Sequence, residues 1–128
     1  MVPESHRSLL EQPLTAVLTT VGADGMPQAS AIWYLWDDDR LVISTKRWAA
    51  KFRNVAARPL AGFLVVDPAD EFRYLEVRGT AEVGEDPERS IRDRIRAKHG
   101  IGADAPDPAA ADRVIITLTP LRVVVHPF

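Results

Sequence analysis

Apolar and polar residues alternate through most of this chain, which is the pattern of half-buried β-strands. The longest alternating segment is Phe72 to Val83, where one face would carry Leu75, Val77, Gly79, Ala81 and Val83. The same pattern predicts strands at Thr15 to Val21, Pro27 to Trp36, Leu41 to Thr45, Leu60 to Val66, and in two runs of Val114 to Val125 that are separated by Pro120. The sequence thus predicts about six strands.

Short turns connect most of these strands. Gly22-Ala23-Asp24-Gly25 links the first two strands, Asp37-Asp38-Asp39 follows the second, and Asp67-Pro68-Ala69-Asp70 precedes the long one. The three consecutive aspartates are interpreted as a solvated turn, because calcium loops space their ligands at alternate positions and add a later glutamate. Because strand follows strand without regular helical crossovers, the pattern favours a mainly β, antiparallel barrel over a doubly wound sheet.

Helices are predicted at three places between the strands. Ser5 to Gln12 forms a first helix, with Ser5 as its cap, Leu9 and Leu10 facing inward, and Pro13 closing it. The second follows Thr45, where the recurring apolar residues are Trp48, Phe52 and Val55. The third begins at Asp86-Pro87-Glu88, ends at Gly100, and has so narrow an apolar stripe that it should lie on the surface.

Composition limits the classes of function. A length of 128 residues predicts one domain covering 1–128, and 46% hydrophobic residues are typical of a globular protein. The net charge of −2 gives no general attraction to nucleic acid, and no stretch is apolar enough for a membrane span, so we expect a cytoplasmic protein. The chain has no cysteine and its three histidines are scattered, so no metal site is expected.

The segment from Ser44 to Asn54 is the most informative for chemistry. On one helix, Arg47, Lys51 and Asn54 would share a face. Ser44, Thr45 and Lys46 precede this helix, and backbone N–H groups at a helix start favour an anion. Hydroxyls, amides and a lysine together are suited to a phosphate monoester. The alternative is that these basic side chains only solvate an exposed helix.

The polar face of the long strand carries Tyr74, Glu76 and Arg78. These side chains either contact a ligand or partner subunit, or form a cross-strand ladder that faces water. No serine lies in a G-x-S-x-G motif, which argues against nucleophilic hydrolysis.

Five segments together resemble the pyridoxamine-phosphate-oxidase-like flavin-binding split-barrel superfamily, especially its branch of small deazaflavin-dependent oxidoreductases. They are the segment Gly22 to Gln28, the strand Ala29 to Trp36, the strand end Ile43-Ser44-Thr45, the helix Ala50 to Asn54, and the segment Arg73 to Gly79. Many relatives carry an arginine two positions before the lysine, whereas this chain has Ala49, for which Lys46 or Arg47 would substitute.

The resemblance implies a six-stranded antiparallel split β-barrel that forms a homodimer with two cofactor sites. Its cofactor would be coenzyme F420 (8-hydroxy-5-deazaflavin), with FMN as the alternative. The residues implied to bind the cofactor are Gln28, Ser30, Ala31, Ile32, Ser44, Thr45, Lys46, Arg47, Lys51, Asn54 and Tyr74. Tyr74 would reach in from the second subunit. The proton for the reaction would come either from solvent or from Tyr74, which lies on the polar face of its strand.

Three functions follow as hypotheses. The first is a reductase that transfers a hydride from the deazaflavin to a small conjugated organic substrate, which needs no acid–base dyad because the cofactor supplies the reactive carbon. The second is a non-enzymatic carrier of a flavin, a deazaflavin or a haem-related ligand. The third, pyridoxamine-phosphate oxidase activity, ranks last because no residues for a second phosphate are evident.

Overall fold

Seven antiparallel strands form one continuous sheet in the computed structural model, which describes residues 1–127. The strands are β1 (Ala16–Val21), β2 (Pro27–Ile32), β3 (Leu35–Asp37), β4 (Arg40–Lys46), β5 (Leu60–Asp67), β6 (Asp70–Glu85) and β7 (Arg113–His126). Their order across the sheet is β2-β1-β5-β6-β7-β4-β3. The mainly β, antiparallel architecture is therefore confirmed.

The sheet does not close on itself in the described part of the chain. Within residues 1–127 its two edge strands, β2 and β3, do not pair with each other, so the barrel part of the predicted split β-barrel is not confirmed. Only Trp33 and Tyr34 connect them, and so short a link spans no more than about 11 Å from Ile32 to Leu35. The two edges therefore lie near each other at one end of the sheet.

The strand count differs from the predicted six because the segment from Pro27 to Trp36 is two strands. Tyr34 is fully buried at the break, and its hydroxyl donates a hydrogen bond to the carbonyl of Leu9 at 2.6 Å. The alternation of apolar residues continues through this break, so the sequence pattern alone does not reveal it.

Pro120 does not divide the last strand, contrary to the prediction. β7 runs through it as a single strand, with Gly79 opposite Pro120 and Arg78 opposite Arg122. Leu121 is thus an extra residue, a β-bulge, and bulges are among the places where a strand tolerates proline.

The core lies between the inner face of the sheet and the helix α1 (Glu4–Glu11). As predicted, the inward residues of β6 are buried or half-buried, and Leu9 and Leu10 of α1 are buried. Ser5 does not cap α1, since its hydroxyl is bonded to His6 Nδ1 at 2.8 Å and the cap position is Pro3.

The helix α3 (Ser90–Lys98) begins later than predicted. A 3₁₀ turn precedes it, and the positive φ angles of Glu88 and Arg89 separate the two. Asp86 still acts as the cap, because its carboxylate accepts hydrogen bonds from the N–H groups of Ile91 and Arg92, both at 2.9 Å. The helix is also not purely on the surface, since Arg92 and Ile95 are buried.

Within residues 1–127, no helix is both long and apolar enough to cross a membrane.

Candidate functional site

A cavity of about 350 Å³ opens where β4 ends and β7 begins, beside the helices α2 (Ala50–Ala57) and α3. Six of the residues predicted to bind the cofactor line it: Ala31, Ile32, Ser44, Thr45, Lys46 and Lys51. The others that line it are Thr15, Trp33, Arg92, Ile95, Arg96 and Arg113. The fold therefore collects lysines and arginines from four separate elements around one space.

The prediction that Arg47 shares a helix face with Lys51 and Asn54 is wrong. The helix α2 begins only at Ala50, after a turn in which the Ala49 N–H donates to the Lys46 carbonyl at 2.9 Å. Arg47 lies in that turn, and its guanidinium donates two hydrogen bonds to Glu85 at 2.9 and 2.7 Å. Trp48 is also not packed inward as predicted but is 59% exposed.

The Ser44 hydroxyl is buried and has no hydrogen-bond partner within residues 1–127. A buried hydroxyl without a partner costs free energy, so such groups usually indicate a missing ligand or water. Ser44 lines the cavity beside Thr45 and Lys51. An oxygen-rich ligand in the cavity would therefore satisfy this hydroxyl.

Lys51 is half-buried in the cavity wall. Burial lowers the pKa of its ammonium group, and the charges of Lys46 and Arg113 lower it further. The charges of Lys46 and Arg113 thus lie close enough to Lys51 to disfavour its charged form. An anion among them would relieve this repulsion and raise the pKa of Lys51 again.

Two acidic side chains hold part of the arginine cluster. Asp107, only 4% exposed, accepts hydrogen bonds from Arg92 at 3.0 Å and from Arg113 at 3.1 and 3.3 Å. Asp93 accepts two further hydrogen bonds from Arg92, at 2.9 and 2.5 Å. Although burial raises the pKa of Asp107, the hydrogen bonds from Arg113 and Arg92 outweigh it and lower that pKa to about 2.

One residue of the wall, Trp33, belongs to an aromatic pair. The ring of Trp33 is stacked on the ring of His99, with centroids 3.8 Å apart and an interplanar angle of 7°. Burial and then the charge of Lys98 lower the pKa of His99, which favours the neutral imidazole. The cavity therefore has an uncharged aromatic surface as well as a cationic one.

Five predicted residues do not line this cavity: Gln28, Ser30, Arg47, Asn54 and Tyr74. Gln28 and Asn54 are joined through the buried Thr20, whose hydroxyl donates to Gln28 at 3.3 Å and accepts from Asn54 at 3.0 Å. These bonds fasten α2 to β1 and β2. The Ser30 hydroxyl, like that of Ser44, is buried without a partner within residues 1–127.

Tyr74 lies near the other end of β6, opposite Val66, and its ring is stacked on His126 at 5.3 Å. Ser44 pairs with Ile115 of β7, and Ile115 in turn pairs with Gly84 of β6. Gly84 is ten positions further along β6 than Tyr74. Ten strand positions correspond to about 33 Å. Tyr74 therefore cannot contact the cavity of its own chain.

A second depression, of about 540 Å³, lies on the outer face of the sheet and is mainly apolar. We call it the outer groove; it is lined by Val17, Thr19, Val21, Leu60, Ala61, Gly62, Phe63, Leu64, Glu76, Arg78, Gly79, Leu121 and Arg122. Leu60 and Leu121 are more than half exposed there. Its charged side chains are Glu76 and Arg78, which form an ion pair at 3.0 Å, and Arg122.

Sequence reasoning missed Arg92, Arg96 and Arg113 as parts of the site. A signal existed for the first two, since Arg92, Ile95 and Arg96 have the spacing of one helix face, which joins an apolar residue to two cations. No local signal existed for Arg113. It reaches the cavity only because β7 pairs with β4, which places it opposite Lys46.

In the part of the chain that the structure describes, no group of three or more histidine, aspartate or glutamate side chains is arranged to hold a metal ion.

Comparison with known proteins identifies the same kind of fold. The family model described as "Pyridoxamine 5'-phosphate oxidase" matches residues 2–126. A solved structure described as an "F420 Reductase" is 38% identical, with a TM-score of 0.88 over 96% of this chain and 98% of that one.

More distant solved structures are similar in fold alone. A conserved hypothetical protein from Mycobacterium tuberculosis is 24% identical, with a TM-score of 0.80 over 98% of this chain and 84% of that one. A putative pyridoxamine 5'-phosphate oxidase from Listeria innocua is 23% identical, with a TM-score of 0.74 over 98% of both chains. Among curated proteins, none matches this sequence significantly.

Proposed function

Because the chain belongs to the pyridoxamine 5'-phosphate oxidase family, we propose that it is an oxidoreductase that uses coenzyme F420 and binds the cofactor phosphate in the cavity around Lys51. Its substrate would be a small conjugated organic molecule that accepts a hydride. The family membership supports an oxidoreductase with a flavin or deazaflavin, and the similarity to an F420 reductase supports the deazaflavin. FMN is the alternative, since its phosphate would present similar oxygens to the same cavity.

The observation that carries this proposal is the combination of the unpartnered Ser44 hydroxyl with the crowded charge of Lys51. Each is unfavourable in the protein alone, and a phosphate group corrects both, because its oxygens accept hydrogen bonds and its charge offsets that of the lysines. An apolar ligand would correct neither. The residues present therefore fit a phosphate-bearing cofactor.

The chain's own residues would bind and orient the two reactants. Ser44, Thr45 and Lys51 would hold the phosphate, while Ala31 and Ile32, which line the same cavity, would border the cofactor ring. When bound, the cofactor supplies the hydride chemistry. The protein would then contribute by orienting the cofactor and the substrate and by excluding water, so no acid–base dyad is required.

We further propose a homodimer through the outer groove. Exposed apolar side chains on several strands, among them Leu64 and Leu121, form a larger apolar surface than isolated exposed residues would. Tyr74 shares its strand face with Glu76 and Arg78 of this groove, so it is carried towards a second subunit at such an interface. This supports a role for Tyr74 in the partner's cofactor site and as proton donor.

The test is a parallel titration of the wild-type protein and Lys51→Ala with F420 and with FMN. Loss of a charge-assisted phosphate contact should weaken binding by about 1.5–3 kcal/mol. Arg40→Ala is the matched control, because it also removes one positive charge but lies at the opposite end of β4, where it pairs with Asp38. Equal affinity of wild type and Lys51→Ala for both cofactors would contradict the proposed site.

Turnover separates the enzyme from a carrier. The reduced cofactor that binds more tightly is mixed with the protein and a set of conjugated acceptors, and its reoxidation is followed by absorbance. Tyr74→Phe should slow this reaction and leave cofactor affinity unchanged, and an unchanged rate would remove the proton-donor role. Tight binding with no acceptor reduced would identify the protein as a carrier.

A further inference from the structure

A single lysine does not match the charge and the oxygens of a phosphate group, so the site needs a second cation. Many relatives have an arginine at the position of Ala49, and the nearest cations in this sequence are Lys46 and Arg47. The structure directs Arg47 away from the cavity, whereas Lys46 lines it and also contacts a neighbouring ring. The guanidinium of Arg47 is bonded to Glu85, and Lys46 Nζ lies 5.1 Å from the ring centroid of Trp48.

The three arginines that line the cavity differ in how many of their nitrogens are already used. All three guanidinium nitrogens of Arg92 donate to Asp93 or Asp107. Arg96 Nη2 lies within hydrogen-bond distance of the carbonyls of Ala105 and Pro106, whereas its buried Nε has no partner within residues 1–127. These two side chains therefore fasten helix α3 and the following segment.

Arg113 is held by a carboxylate, which occupies one edge of its guanidinium. Nε and Nη2 donate to the two oxygens of Asp107, and Nη1 makes no hydrogen bond to any residue in the described part of the chain. The Arg113 side chain is only 19% exposed, so Asp107 holds it in a fixed orientation. An arginine held in this way keeps a free edge for a second, planar hydrogen-bonded partner.

The strand register places Arg113 beside the proposed phosphate site. Arg113 is opposite Lys46 in the β4–β7 pair, and the backbone N–H of Arg47 donates to the Asp112 carbonyl at 2.9 Å, which fixes the start of β7 against the turn after β4. The charge of Arg113 also acts on Lys51, whose pKa it lowers. Arg113 and Lys51 thus face one space from two different elements.

We propose that Arg113, held by Asp107, is the second phosphate-binding residue of this site and acts together with Lys51. The inference rests on the proposed function, since it concerns the same phosphate. It assigns Arg113 to ligand binding and Asp107 to the positioning of Arg113. It also assigns no phosphate contact to Arg47, although Arg47 is nearer to Lys51 in the sequence.

The experiment compares ligands that differ only in their phosphate-containing part. Arg113→Gln is titrated with FMN and riboflavin, and with F420 and 8-hydroxy-5-deazariboflavin, beside Lys51→Ala and the control Arg47→Gln. We expect Arg113→Gln to reduce the affinity for the phosphate-bearing ligands by about 10–100-fold and the affinity for the phosphate-free ligands by less than about twofold. Arg47→Gln should change neither.

Two further variants test the roles of charge and position. Arg113→Lys keeps the positive charge but lacks the planar guanidinium, so it should retain part of the affinity for the phosphate-bearing ligands. It replaces Arg113→Gln if that variant does not fold. Asp107→Asn, which keeps the shape of the acid, should reduce the difference between phosphate-bearing and phosphate-free ligands. If Arg113 or Asp107 has only a structural role, its substitution will reduce the affinity for all four ligands alike. That result would overturn the inference.

The outcomes also separate this inference from the proposed function. If Lys51→Ala discriminates between the two kinds of ligand and Arg113→Gln does not, Arg113 is not a phosphate ligand and the proposed site stands. If neither variant discriminates, the phosphate is bound elsewhere and both proposals fail.

Discussion

Gly79 on β6 lies directly against the backbone of Thr119 on β7, so that a Cβ atom added to Gly79 would be 1.9 Å from the Thr119 carbonyl oxygen. This close approach occurs beside the bulge at Leu121, where the register of the longest strand pair shifts. We expect Gly79→Ala to destabilise the protein by about 1–3 kcal/mol or more, because the backbone itself must move.

The matched control for this prediction is Gly84→Ala in the same strand pair. There a Cβ would meet only the Ile115 side chain at 3.5 Å, which is an ordinary contact. Thermal or denaturant unfolding of both variants measures the difference. Equal stability of the two would show that β6 and β7 do not approach each other in this way.

Burial of Tyr34 leads to a second stability prediction. Its hydroxyl donates to the Leu9 carbonyl at 2.6 Å, and burial raises the pKa of this phenol to a value at which it stays protonated. Tyr34→Phe would leave that carbonyl without its partner, which should cost about 1–2 kcal/mol. An unchanged denaturation midpoint would mean that the hydrogen bond adds nothing to the attachment of α1.

The alternation of side chains predicted most of the sheet correctly because it depends on burial of one face, which is local information. The inward side of β6 is an example, since Leu75 and Val77 are fully buried. The break at Tyr34 was missed because the residue keeps the apolar pattern while the chain passes from one edge of the sheet to the other.

The site shows the same limit. Ser44, Thr45 and Lys51 are close together in the sequence, and spacing combined with the family resemblance predicted that they share one site, as they do in the cavity. Arg113 is about half the chain away, and only the β4–β7 register brings it to Lys46. The turn before α2 was also not predicted, and it is what directs Arg47 towards Glu85.

Acid stability should depend on Asp107. Its pKa of about 2 in the folded protein is below the ordinary aspartate value of about 3.9, so its charged form stabilises the fold above about pH 4. This contribution, on the order of 1–2 kcal/mol, is lost as the pH falls from about 4 to about 2. Asp107→Asn should therefore flatten the pH dependence of unfolding in this range, and a curve with the wild-type slope would contradict this.

Ser44 should affect the free and the bound protein differently. Because its buried hydroxyl has no partner within residues 1–127, Ser44→Ala should leave the stability of the cofactor-free protein unchanged or slightly increased. The same change should weaken cofactor binding by about 0.5–1.5 kcal/mol. Calorimetry of the free protein and titration with F420 measure the two effects, with Ser90→Ala at the exposed start of α3 as control. Equal loss in both measurements would assign Ser44 a structural role.

The outer groove predicts a defined change of oligomeric state. Leu121 is 64% exposed at the bulge, and an aspartate there would place a charge within an apolar interface without a partner. Leu121→Asp should therefore convert a dimer to monomers in sedimentation experiments, whereas Met26→Asp, also exposed but in the β1–β2 turn, should not. A wild-type protein that sediments as a monomer would contradict the proposed interface.

Cofactor affinity should fall at alkaline pH because Lys51 binds the phosphate only when it is protonated. Burial and the charges of Lys46 and Arg113 lower the pKa of Lys51, so the loss should begin at a lower pH than for an ordinary lysine. A bound phosphate raises that pKa, so binding should take up protons in this range, which calorimetry in buffers of different ionisation enthalpy detects. Lys51→Arg is the control, because arginine stays charged and should remove this pH dependence. Persistence of the same dependence in Lys51→Arg would assign the titration to another group.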